Sequence, residues 1–78
     1  MSVWVLLYRM PRPCAVGRET GGADGRPDGE PHVGCSEEIK GETAEAAARA
    51  FRKFHVRLSS PCLELSAQDR NGIEGAVR

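Results

Sequence analysis

One segment of this 78-residue chain repeats with a helical period, and that limits the fold more than any other feature. In TAEAAARAFRKFH, residues 43–55, and just beyond it, Ala44, Ala47, Ala48, Phe51, Phe54 and Leu58 recur three and four apart, as the apolar face of a helix does. A lone amphipathic helix cannot bury its own face, so the other apolar residues must supply a sheet for it to lie on. Thr43 carries a hydroxyl suited to the N-cap, and Glu42 and Glu45 stand at the positive end of the helix dipole. Glu45 and Arg49 form an i,i+4 pair in the favourable order. Pro61 disfavours helical geometry at Ser60, so the helix must end by that point. Phe51 and Phe54 are expected to fill the core.

The strands are read from the flanking segments. SVWVLLYRM, residues 2–10, is a continuous apolar run stopped by PRP, which predicts a central strand covered on both faces or paired on both edges. HVGCSEEIK, residues 32–40, puts Val33, Cys35 and Ile39 on one side and Glu38 and Lys40 on the other, with a break at Glu37. It predicts a second strand antiparallel to the first. CLELSAQ, residues 62–68, alternates with Leu63, Leu65 and Ala67 inward. Asn71-Gly72, both tolerant of positive φ, then marks a hairpin into a short last strand over residues 73–77. The expectation is a single α+β domain, residues 1–78, in ββαββ order: one amphipathic helix on a small, mainly antiparallel sheet of three to four strands. Residues 11–31 hold four of the five prolines and five of the nine glycines, and are expected to form a flexible loop.

Composition narrows function mostly by exclusion. Eleven basic and eleven acidic side chains cancel, so no global field draws the chain to nucleic acid or membrane. The apolar run at residues 3–7 is too short for a signal-peptide core or a membrane span, and three cysteines cannot all pair within one chain. A cytoplasmic protein with reduced thiols is the expectation. GRETGGADG, residues 17–25, lacks the Gly-Lys-Ser/Thr ending of a phosphate loop, and DGRPDG, residues 24–29, puts Arg26 where a calcium ligand belongs.

Cys14, His32, Cys35, His55 and Cys62 are the candidate zinc ligands. HVGC has the gap of a zinc knuckle half, but the remaining candidates are scattered singly, whereas structural sites come as close pairs. Cys35 and Cys62 are expected to be buried as small hydrophobes and Cys14 to be exposed; a small structural zinc-binding domain is kept as an alternative. No cysteine–histidine or paired-carboxylate signature points to catalysis, so no enzyme and no cofactor is expected.

The positive feature is the basic side of the helix, Arg49, Arg52, Lys53 and Arg57, with Arg18, Asp24 and Arg26 of the loop as an extension. It reads as a solvated face, as a surface for an acidic groove on a protein partner, or as a track for a nucleic-acid backbone. Zero net charge and the lack of aromatics among the cations favour the protein partner over nucleic acid. An exposed sheet edge leaves a homodimer open.

VWVLLYRMPRP, residues 3–13, resembles the first strand of several ferredoxin-like nucleic-acid proteins. As a whole, a chain this short with its TAEAAARAF helix between strands resembles accessory proteins of bacteriophages and mobile elements, anti-CRISPR inhibitors among them. The resemblance implies a non-catalytic protein that acts by docking on, and inhibiting, a larger host complex.

Overall fold

Along the chain the elements are β1 (Ser2–Pro11), β2 (Arg18–Glu19), β3 (Asp24–Gly25), β4 (Pro31–Gly41), α1 (Ala44–Arg57), β5 (Leu63–Gln68) and β6 (Glu74–Gly75). The computed structural model describes residues 2–12, 14, 16–22, 24–25, 31–57 and 63–77. β1 is central, as its apolar run predicts. One edge pairs with β4 in unbroken antiparallel register from Ser2↔Gly41 to Pro11↔His32, and the other pairs with β5 from Val5↔Gln68 to Arg9↔Leu63. The sheet runs β2-β4-β1-β5-β6, with β3 also on β4, and every ladder is antiparallel. β4 and β5 therefore run parallel to each other on either side of β1, and α1 connects them by crossing over it.

The α+β arrangement agrees with the expectation, while the strand count exceeds three to four. The additional strands are β2 and β3, both within residues 11–31: Arg18↔Ser36 and Glu19↔Cys35, then Asp24↔His32 and Gly25↔Pro31. Their pairing is backbone chemistry, invisible to side-chain periodicity. The N–H groups of Thr20 and Gly21 both donate to the Gly34 carbonyl, at 2.7 and 3.3 Å.

The core lies between α1 and one face of the sheet. Leu6, Tyr8 and Met10 of β1, Val33 and Cys35 of β4 and Ala67 of β5 are buried against Ala44, Ala47 and Phe51. Val3, Val5 and Leu7, on the opposite face, are only half-buried, so β1 is paired on both edges rather than covered on both faces. Alanines early in α1 allow close approach. A Cβ on Gly75 would fall 2.5 Å from that of Ala44 and 3.0 Å from the ring of Trp4, whose indole N–H donates to the Gly41 carbonyl at 3.3 Å.

The helix differs from its sequence reading at one position. Phe54 is 48% exposed, while His55, 4% exposed, takes the place in the core that Phe54 was expected to fill. Ala44, Ala47, Ala48, Phe51 and His55 form one arc at spacings of three and four, and Phe54 falls on its rim. Leu58 lies outside the described residues. The N-cap is as expected: the Thr43 hydroxyl accepts from the Ala46 N–H at 3.1 Å.

β5 carries a bulge. Leu7 faces Ser66 and Arg9 faces Leu63, so Glu64 and Leu65 together oppose Tyr8. Glu64 adopts φ 57°, the left-handed region, with its carboxylate 3.9 Å from Nε of Arg9. The β5–β6 hairpin is present, but only Gly72 of the Asn-Gly pair takes positive φ, at 81°. Asp69 organises the turn: its carbonyl accepts from the Gly72 N–H at 3.0 Å, and its Oδ1 accepts from the N–H groups of Asn71 and Ile73, both at 2.8 Å.

Candidate partner-binding surface

The solvent face of α1 carries Glu45, Arg49, Arg52, Lys53 and Val56, all exposed. Two of the four expected cations have work within the molecule. Arg49 donates to the Glu45 carboxylate at 3.0 Å, and Arg52 donates to the Val77 carbonyl at 3.1 Å, tying the helix to the chain after β6. Lys53 makes no ion pair among the described residues. Arg57 closes α1, and its side chain lies outside the described residues. Of the expected extension, Arg18 is exposed on the edge strand β2, and the Asp24 side chain and Arg26 lie outside the described residues.

Sequence reasoning missed Val56. It is 76% exposed, and it follows Arg49, Arg52 and Lys53 by seven, four and three residues, which sets it among them on one helical stripe. Phe54, the other large apolar side chain exposed on α1, stands two residues from Val56 and so on a different side of the helix, at the edge of the buried arc. The place of Val56 is readable from the spacing, three residues after Lys53 and one before Arg57, but a lone valine in a charged stretch writes no apolar period.

Beneath the helix, a polar cluster closes one side of the core. The Tyr8 ring lies 4.7 Å from Phe51 and 6.0 Å from His55, centroid to centroid, and Phe51 lies 5.1 Å from His55. The Tyr8 hydroxyl donates to the Val16 carbonyl at 2.8 Å, and the Cys14 thiol donates to the same oxygen. Cys14, expected to be exposed, is half-buried because this pair of bonds folds its segment onto Tyr8. Gly17, at φ 70°, is required here, since a Cβ would meet the Tyr8 hydroxyl at 2.7 Å. Burial raises the Tyr8 pKa far above its ordinary value, helped by the Cys14 thiol beside its hydroxyl. Burial also raises the Glu37 carboxyl pKa, with His55 opposing. Among the described residues, Oε2 of Glu37 and Nε2 of His55 are buried without a hydrogen-bond partner. With its hydroxyl and thiol both spent on one carbonyl, the cluster is suited to clamping Cys14 and Val16 against the core.

The remaining zinc candidates separate. His32 and Cys35 stand three apart on a continuous strand, so Cys35 faces the helix and His32 the opposite side, which removes the knuckle geometry. Among the described residues, no group of three or more His, Cys, Asp and Glu is placed to hold a metal ion. Cys35 is buried, as expected, and Cys62 lies outside the described residues. Among the described residues, no helix is long and apolar enough to cross a membrane. No protein-family model matches the chain, and no curated protein or solved structure matches it.

Proposed function

We propose that this chain is a small non-catalytic binding protein that docks on a protein partner through the solvent face of α1. The observation that carries the reading is Val56, 76% exposed amid Arg49, Arg52 and Lys53. Protein interfaces combine apolar anchors with arginine and a polar rim. A phosphate backbone, by contrast, is held by charge and hydrogen bonds and gives an exposed valine nothing to bury against. The complementary surface is acidic with an apolar recess. The likeness in size and pattern to anti-CRISPR-type inhibitors supports an exposed face on a larger host complex as the class of target.

The test is a triple variant, R49E/K53E/V56D, which spares Arg52 because that residue also holds the C-terminal segment. Wild type and variant are immobilised, and the host proteins they retain are compared quantitatively. A protein retained by wild type and lost by the variant, with far-UV circular dichroism unchanged, is the expected result. Equal retention by both sinks the reading. Retention that nuclease abolishes and salt weakens steeply transfers the surface to nucleic acid.

A further inference from the structure

Residues 37–41 form the outer edge of β4, and among the described residues no strand pairs with them: β2 ends its ladder at Ser36, and β3 pairs with residues 31 and 32. This edge has a definite hydrogen-bonding parity. The Gly34 carbonyl points outward to Thr20 and Gly21, and alternate residues of an unbroken antiparallel strand aim their backbone groups to the same side. The N–H and C=O groups of Glu38 and Lys40 therefore point outward as well. Both side chains are exposed on the face away from α1, and neither makes an ion pair among the described residues. Ile39, between them, is half-buried on the helix side. A hollow of about 400 Å³ lies against the same edge, lined by Val5, Gly17, Arg18, Ser36, Glu37 and Glu38.

We infer that this edge is an interface between two copies of the chain, in which β4 pairs antiparallel with β4 of the second copy about Ile39. The register follows from exclusion. Outward-pointing residues must meet outward-pointing residues, and Ser36 is occupied by Arg18. Centring the ladder on Glu38 or on Lys40 sets like charges directly opposite each other, which is destabilising. Centring it on Ile39 sets Glu38 opposite the second copy's Lys40, and Lys40 opposite the second copy's Glu38. Each of those pairs exchanges two backbone hydrogen bonds, and the two isoleucines meet on the helix side. Gly41 ends the ladder without a side chain, where the chain turns into α1. The contact is isologous, so it closes at two copies and does not propagate.

A five-residue ladder is short, so the dissociation constant falls on the order of 100 µM, at the weak end of specific contacts. Sedimentation velocity across about 10 µM to about 1 mM brackets that value. The wild-type chain is expected to pass from monomer to dimer over the range. E38K and K40E, each placing like charges opposite one another, weaken association at least about tenfold, whereas E38K/K40E restores the opposite pairing and returns to within about threefold of wild type. Slower amide exchange at Glu38 and Lys40 on raising the wild-type concentration locates the contact without any variant. A chain that stays monomeric at the highest concentration overturns the inference. So does a dimer that neither single variant weakens, or a double variant that does not recover.

Discussion

Glu37 breaks the alternation of β4 in the sequence, and in the structure it sits on the helix side with Val33, Cys35 and Ile39, close enough for His55 to act on its charge. Burial raises its pKa above the ordinary 4.5, so the folded chain holds that proton more tightly than the unfolded one. The folded state thus binds more protons within the window from 4.5 up to the raised value, and stability falls as pH rises through it. E37Q removes that fall: its melting temperature should match wild type at the acid end and exceed it above the window. Parallel pH profiles of the two proteins would refute the assignment. Phe51 and Phe54 make a second contrast at this scale. F51A empties a fully buried site and should cost about 3–5 kcal/mol in urea denaturation, while F54A, at the rim, should cost less than about 1 kcal/mol. In a domain this small, the first loss approaches total stability.

Elements were legible where side chains write a period. β1, β4, α1 and β5 follow from apolar runs, alternation and a 3–4 spacing, and Thr43 marks the helix start; T43A should lower stability by about 1 kcal/mol, read from the urea midpoint. The features that escaped are made by backbone groups or by residues whose polarity disguises their position. β2 and β3 pair through main-chain atoms of a segment with no apolar pattern. His55 occupies a core place that its imidazole concealed. In the last hairpin the Asn-Gly signal gave the right turn for an incomplete reason, because Asp69, not Asn71, holds it. D69A should loosen β6 and cost about 1–2 kcal/mol through two lost carboxylate bonds, with faster amide exchange confined to the β5–β6 turn. The candidate surface was half legible, since its cations stood out and its exposed valine did not.

For the whole molecule, the two proposed contacts use different parts of the fold. The helix covers one face of the sheet, while the open strand lies at its margin, so the charge-altering variants of each should separate. R49E/K53E/V56D is expected to sediment as wild type does, and E38K to bind a single partner site as wild type does; cross-effects in both directions would mean one shared surface. A twofold axis perpendicular to the sheet places both helices on the same side of a continuous sheet. A dimer would then offer a repetitive target two basic faces at once, and gain avidity without any new contact.

Trp4 is the chain's single tryptophan, and its ring lies against Gly75 while its N–H reaches Gly41. Its emission is therefore a built-in optical probe of whether the final strand is seated on the start of the helix, whereas far-UV ellipticity weighs α1 and the central strands. In a urea titration the two signals coincide if the chain unfolds as one unit. An emission shift that precedes the loss of ellipticity would time the departure of the last hairpin, and G75A, by forcing a methyl group into that seat, should bring the shift forward.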